Sequence, residues 1–349
     1  MKKITALALY SGGLDSMLAA KLVASLGVRV LAVKFVTPFF DYGLLEDPEK
    51  YKQDVKEKYG IEVLVEDLSN NYLDLLHHPS HGFGKNFNPC IDCKILMFSR
   101  AKAMLAEYDA SFLVTGEVIG QRPMSQRRDT LRVIERDSDN DGLLLRPLSA
   151  KLMNPTKAEI EGWVDRDKLL DFSGRGRSRQ IKMAHEYGIT DFPTPAGGCT
   201  LADPILSTRI AKIYADDFVI KADEITVTDI RFLLVGRQFL LPGGYWVILG
   251  RNEKENMKIE ELAEENDILF HMPDRPGPTA LLRNAKSMLA SGDKTDAILQ
   301  GTADLVVRYG KKVKDDSGEG VNITEMDGEH TVLGKRLSEQ LCQEWMIKS

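Results

Sequence analysis

Apolar residues run from Ile4 to Tyr10 almost without a break and stop at Ser11-Gly12-Gly13, the pattern of a short strand buried on both faces. At Leu14 the period changes. Leu14, Met17, Leu18, Leu22 and Leu26 recur at helical spacing, and Gly27 is placed to close the helix. The alternation then repeats. Val28 to Val36 predicts a strand, Glu49 to Tyr59 a helix, Ile61 to Leu68 a strand and Ile91 to Glu107 a helix. Ser111 to Val118 and Gly142 to Leu148 predict two further strands. Strands separated by helices imply βαβ units, and so an α/β domain whose parallel sheet is covered on both faces.

The pattern loosens after residue 155. Thr156 to Asp216 reads as helical and loop-rich, and the composition shifts again near Ala222-Asp223-Glu224. Beyond it, Thr226 to Val235, Tyr245 to Gly250 and Asp267 to His271 predict strands, with a helix over Lys258 to Glu265. The charged, glycine-bearing stretch Lys311 to Gly328 predicts a solvated loop. The expected organisation is residues 1–155 as the α/β domain, 156–222 as an extension and 223–349 as a smaller α+β domain.

The 349 residues carry 46 Lys and Arg against 52 Asp and Glu, a net charge of −6, so a basic field over the whole molecule is absent. Any contact with nucleic acid must therefore come from local patches. Four cysteines are too few for a disulfide scaffold and suit a reducing compartment. The first apolar run ends too early for a leader, with Asp15 and Lys21 following, and no stretch approaches the ~20 apolar residues of a membrane span. A cytoplasmic protein with no membrane contact is expected.

The strongest chemical signal is Ser11-Gly12-Gly13-Leu14-Asp15-Ser16, at the first strand-to-helix junction. Two glycines let backbone approach a ligand closely, and the helix that begins at once points its unpaired N–H groups into the turn. Ser11 and Ser16 add hydroxyl donors, and Asp15 can hold Mg2+ against a triphosphate. A serine-capped turn is the plainer reading of a glycine pair, but it does not call for the whole hexapeptide. Next comes Asn88-Pro89-Cys90-Ile91-Asp92-Cys93-Lys94, with a third cysteine in Pro195-Ala196-Gly197-Gly198-Cys199. A lone Cys-x-x-Cys fits a redox pair, a zinc half-site or a cluster half-site equally. Cys199, framed by glycines, could join that pair at a shared centre. His271 or His185 could add a ligand, although a single histidine is more often structural, and Cys342 reads as a bystander. Asp92 and Lys94 flank the pair and could tune its thiolates, or simply face solvent.

The hexapeptide resembles the PP-loop (SGGxDS) of the ATP pyrophosphatase superfamily. Together with Asn-Pro-Cys-x-x-Cys, the segment from Gly116 to Ser125 and Arg146-Pro147-Leu148, it resembles the PP-loop tRNA thiolation enzymes, 4-thiouridine synthetases and 2-thiouridylases, over roughly residues 1 to 210. The resemblance implies an adenine nucleotide alpha-hydrolase-like, Rossmann-like fold and a transferase that adenylates a uridine carbonyl of tRNA with ATP and replaces its oxygen with sulfur. Ser11, Gly12, Gly13, Asp15, Ser16, Gly116 and Glu117 would border the nucleotide. Cys90, Cys93 and Cys199 would hold a [4Fe–4S] cluster with one open iron, or act as a persulfide and disulfide relay. Sulfur would come from free sulfide or a cysteine desulfurase, and the working form would be a monomer or a homodimer. The thiouridine synthetases usually carry a THUMP domain before the PP-loop; here that loop begins at residue 11, so RNA is expected to be held elsewhere.

A second resemblance covers about residues 226 to 340. Gly250, Asn252 and Asn256, then Asn266-Asp267, His271 and Pro276-Gly277, resemble the NFACT RNA-binding domain. Plain packing turns explain the same residues, and the charge favours them, since 16 basic and 20 acidic residues follow Thr226. The basic material lies earlier: Arg122, Arg127, Arg128, Arg132 and Arg136, then Arg175, Arg177, Arg179 and Lys182. Arginines on glycine-rich loops suit phosphate contact, so Arg122, Arg127, Arg128, Arg175, Arg177 and Arg179 are the expected RNA contacts. Two rivals remain at this stage. One is a PP-loop enzyme adenylating a small molecule, recognisable by ATP–pyrophosphate exchange without RNA. The other is an ATP-sensing RNA-binding protein without sulfur chemistry, recognisable by its tolerance of Cys90→Ala.

Overall fold

The computed structural model describes residues 4–194, 199–273, 275–286, 295–311, 318–325 and 328–347. The chain divides into two compact units, Met1–Thr200 and Leu201–Ser349. The division falls inside the segment 156–222 that the sequence sets apart as an extension, with its residues shared between the two units.

In the first unit, β1 (Thr5–Leu9), β2 (Arg29–Val36), β3 (Glu62–Asp67), β4 (Phe112–Thr115) and β5 (Leu144–Leu145) form a parallel sheet in the order β3-β2-β1-β4-β5. β1 is central and buries Ala6, Leu7 and Ala8, as its unbroken apolar run requires. Helices α1 (Leu14–Ser25), α2 (Pro48–Tyr59), α3 (Ser69–His77), α4 (Cys90–Glu107), α5 (Arg128–Asp137), α6 (Lys157–Ile160) and α7 (Ser178–Glu186) follow in chain order. Two apolar layers result: one packs α1 and the Met183–Ala184 turn of α7 against the sheet, the other packs Phe98, Ala101 and Met104 of α4 with Ile134 of α5. The α/β expectation holds. The strand expected over Gly142 to Leu148 shortens to two residues, because the chain turns at Gly142 (φ +70°) and again after Leu145.

From β1 the chain runs outward to β2 and β3 on one side, then crosses from β3 to β4 on the other side of β1, so the order reverses between β1 and β4. The crevice beyond the carboxyl ends of strands at such a reversal is where open α/β sheets bind ligands. The Ser11–Ser16 turn follows β1 and Gly116-Glu117 follows β4, so both lie there.

The second unit is a six-stranded antiparallel sheet with helices, in the order β11-β10-β8-β9-β7-β6. Its strands are β6 (Arg237–Leu241), β7 (Tyr245–Leu249), β8 (Ile268–His271), β9 (Ala280–Leu282), β10 (Glu319–Glu325) and β11 (Gly328–Gly334). Helices α8 (Pro204–Tyr214), α9 (Val227–Leu233) and α10 (Glu253–Leu262) join them, and helix Thr295–Tyr309 crosses the sheet. The smaller α+β expectation holds, with two local corrections. Thr226 to Val235 is helical, because Thr226 and Asp229 form a reciprocal capping box that starts α9. Within the loop expected over Lys311 to Gly328, residues Glu319–Glu325 form the strand β10, whose Val321 and Ile323 are buried on the core face. Residues 312–317 and 326–327 of that stretch lie outside the described residues. No helix among the described residues is long and apolar enough to cross a membrane.

Candidate active site

The turn after β1 is built as its composition suggests. Gly12 takes φ +79°, a conformation glycine adopts without a Cβ clash, and Gly13 caps α1 through its backbone alone. Ser16 Oγ donates to Gly13 O at 2.7 Å, and Ser11 Oγ lies 3.2 Å from Ser16 Oγ. Gly116 closes on this turn from β4. A Cβ there would stand 2.5 Å from Asp15 C, Asp15 O and Ser16 N, so only glycine fits. Beneath the loop, the nearly buried Lys34 donates to Ser11 O at 2.9 Å and pairs with Asp41. No local pattern marks Lys34, which lies inside an otherwise apolar strand.

Asp15 is held on one side only. Gln121 Nε2 donates to its Oδ2 at 2.8 Å and Arg177 stands 3.9 Å from the same oxygen, while the buried Oδ1 has no protein partner. An orphaned carboxylate oxygen at a phosphate-type turn suits a divalent cation that keeps most of its ligands from water and phosphate.

The neighbour of Gly116 ties this turn to the cysteine helix. Glu117, 5% exposed, pairs with Lys94 and accepts from Arg146 Nε at 2.9 Å, and Arg146 also pairs with Glu135. Burial alone would push the Glu117 carboxyl up, but Lys94 and Arg146 outweigh it and hold the group below its ordinary value.

Lys94 adjoins Cys93. Cys90 opens α4 and Cys93 lies one turn on, so both face the same way. Burial pushes the Cys93 thiol up to about 12, opposed by a hydrogen bond with the Tyr72 hydroxyl; Cys90 and Cys199 are close enough to push it further up. The three cysteines thus gather around Tyr72 of α3, a buried side chain the sequence reading missed because nothing local marks it. None of the four cysteines forms a disulfide. Among the described residues, no three His, Cys, Asp or Glu side chains are set to hold a single metal ion. Three thiols close enough to act on one another and on Tyr72 are the donor chemistry that a thiolate-bound group would need. Of the glycine frame of Cys199, Pro195 to Gly198 lie outside the described residues.

Asp92 does not face solvent. It accepts from the His81 backbone and ring, and His81 Nε2 reaches Asp137 at 2.9 Å, pinning the loop before the cysteine pair. Cys342 is a core residue of the second unit beside the Tyr309 hydroxyl, His271 pairs there with Glu329, and His185 is exposed on α7.

The arginines separate. Arg122 and Arg175 are exposed on loops, Arg127 pairs with Asp129, and Arg128 donates to Leu152 O at 2.8 Å. Arg179 pairs with Asp171 over the Phe172 ring, whereas Arg177 turns inward to Asp15. In the second unit the resemblance motif is consumed internally. Asn252 caps α10, Asn256 bridges Gly277 O and Thr279 N, Gly250 makes room for Asn256, and Asp267 binds Arg283 and the Asn284 N–H.

Residues 2–173 match the family described as thiamine biosynthesis protein (ThiI), and residues 236–346 match the NFACT protein RNA binding domain. A curated relative, a probable tRNA sulfurtransferase of Thermococcus kodakarensis, is 29% identical over 134 residues, 38% of this chain and 34% of that one. The chain thus spans about a third of that relative's length. Among solved structures, a 4-thiouridine synthetase–RNA complex with bound ATP aligns at TM-score 0.37 and 22% identity, over 61% of this chain and 50% of that one. The U34-tRNA thiolase NcsA of Methanococcus maripaludis, with its [4Fe-4S] cluster, aligns at TM-score 0.33 and 16% identity, over 61% and 66%. The C-terminal part of a fibronectin/fibrinogen-binding protein of Streptococcus suis aligns at TM-score 0.28 and 14% identity, over 49% and 80%.

Proposed function

We propose that this chain, whose residues 2–173 match the ThiI family and residues 236–346 the NFACT RNA-binding domain, is an ATP-dependent tRNA sulfurtransferase. One observation carries the reading. Glu117 stands between the two chemical halves of the site: its neighbour Gly116 packs on the Asp15–Ser16 turn, and its carboxylate holds Lys94 beside Cys93.

In this reading the turn Ser11-Gly12-Gly13 and Ser16 cradle the pyrophosphate of ATP, Lys34 fixes the loop from below, and Asp15 Oδ1 takes Mg2+. The uridine carbonyl oxygen attacks the α-phosphorus. An O–P bond forms, the bond to pyrophosphate breaks, and the oxygen becomes a good leaving group as AMP. A sulfur nucleophile then adds at the same carbon, and AMP leaves with the original oxygen. The outgoing negative charge falls to Arg177 and to the end of α1. Cys90, Cys93 and Cys199 would hold a [4Fe–4S] cluster, which when bound would supply an open iron for sulfide. The Tyr72 hydroxyl meets the Cys93 thiol in a hydrogen bond and so orients it. Arg122, Arg127, Arg128, Arg175 and Arg179 contact RNA phosphate.

Anaerobic purification with iron and sulfide analysis tests the carrier, compared with the Cys90→Ala, Cys93→Ala, Cys199→Ala variant. About four irons per chain in the wild type and none in the variant are expected. An iron-free wild type that still thiolates tRNA would replace the cluster with a persulfide relay through the same thiols.

A further inference from the structure

The first unit has an open cleft of about 550 Å³ at the β5 edge of its sheet, of which the reading above uses Arg128 alone. One wall is α5, whose Arg128, Arg132 and Arg136 recur every fourth residue and so lie on one face, about 6 Å apart along the axis. Across from them runs Met153-Asn154-Pro155-Thr156, and Arg146 lines the cleft between.

The charges in this cleft are unequally spent. Glu135 is taken by Arg146, and Glu159 by Arg166 and the Thr156 cap, while Asp141, the third acid of the lining, acts on Arg136. Of the arginines, Arg136 pairs with Asp137, Arg128 bonds only a carbonyl, and Arg132 has no ion pair among the described residues. Arg146 is 2% exposed, and its buried Nη2 has no protein acceptor although Nε and Nη1 are both used. A buried guanidinium N–H left without an acceptor is costly unless a ligand or water meets it.

We infer that this cleft binds consecutive phosphates of an RNA backbone, an inference that rests on the proposed function and gives its substrate a track. A row of guanidinium groups along a helix suits a chain of phosphodiesters better than one small anion. The lining contains no aromatic side chain, so the cleft offers a base nothing to stack on and contacts the backbone alone. Its floor also leads to the chemistry, since Arg146 pairs with Glu117 and Glu117 with Lys94, the neighbour of Cys93. RNA tracking along α5 is thereby connected to the cysteine helix by two buried ion pairs.

The test is tRNA affinity measured against KCl concentration for three full-length proteins: wild type, Arg128→Gln/Arg132→Gln, and a control carrying Lys50→Gln/Lys56→Gln on exposed positions of α2. The cleft variant is expected to lower the slope of log affinity against log salt by about 1.4 to 1.8, as two lost phosphate contacts require. The control should keep the wild-type slope. Arg132→Gln alone, at an exposed side chain without an ion pair, should show about half the drop and guards against a folding defect. A wild-type slope in the cleft variant, or an equal drop in the control, overturns the inference. ATP affinity, followed in parallel, should be the same in all of them. A wild type that binds no tRNA would overturn the functional reading and this inference together, whereas an unchanged slope overturns only the cleft.

Discussion

The two units treat their motif residues in opposite ways. In the first, polar atoms around the strand crossover are left unsatisfied: Asp15 Oδ1 and Gln121 Oε1 beside the turn, Arg177 Nε, and Arg146 Nη2. In the second, the residues that carry the resemblance are spent on the fold, with Asn252 as a cap, Asn256 as a bridge and Asp267 as a partner of Arg283. Buried polar groups are normally satisfied, so a cluster of exceptions in one place signals a ligand, while a fully satisfied motif signals architecture. Motif resemblance alone does not separate these cases. Counting hydrogen bonds does.

The largest expected effects come from the two buried arginine hubs. Arg283→Ala strands Asp229 and Asp267, both essentially buried, and Arg146→Ala strands Glu135 and leaves Glu117 with Lys94 as its one cation among the described residues. Each should cost about 3–5 kcal/mol in the denaturant transition of its own unit. The comparison is sharpened if Arg146→Ala also weakens tRNA binding under folded conditions while Arg283→Ala does not. Gly116→Ala comes next. Its Cβ would meet backbone of Asp15 and Ser16 at 2.5 Å, so about 1–3 kcal/mol of strain and an ATP affinity at least about tenfold weaker are expected by calorimetry.

A smaller effect is expected from Asn256→Ala, which removes bonds to Gly277 O and Thr279 N. It should destabilise the second unit by about 1–2 kcal/mol, and tRNA affinity of the folded variant should not move. A folded Asn256→Ala protein with weakened tRNA binding would break the comparison outright. The smallest effect is at His81, whose pKa is raised by Asp92 and then by Asp137. Both ring nitrogens can donate only when the ring is protonated. The raised folded-state value means the clasp contributes fully below the ordinary value of about 6.5 and is lost as pH rises through the raised one. The stability gap between wild type and His81→Gln in denaturant unfolding, about 1 kcal/mol at pH 6, should close as pH rises through the raised value.

Much of the first unit was legible because its signals are local. A buried parallel strand is a short apolar run, a phosphate-type turn is a contiguous hexapeptide, and Cys90 and Cys93 sit one helical turn apart. Lys34, Tyr72 and the bond from Gln121 to Asp15 were not legible, since each depends on a partner far away in the chain. In the second unit, β-branched residues from Thr226 suggested a strand although the capping box was present in the sequence and decided for helix. The strand β10 was masked by charge: Val321 and Ile323 carry its alternation among polar neighbours, and only pairing with β8 and β11 reveals it.

The most direct test of the account is to incubate anaerobically prepared protein with tRNA, sulfide and ATP, then digest the RNA and measure thiolated uridine by mass spectrometry. The account predicts sulfur in the tRNA at one AMP and one pyrophosphate per thiolated nucleoside. It predicts none without ATP, and none with Cys93→Ala or Asp15→Ala. Sulfur-free tRNA from an iron-loaded wild type that binds both ATP and tRNA would contradict it.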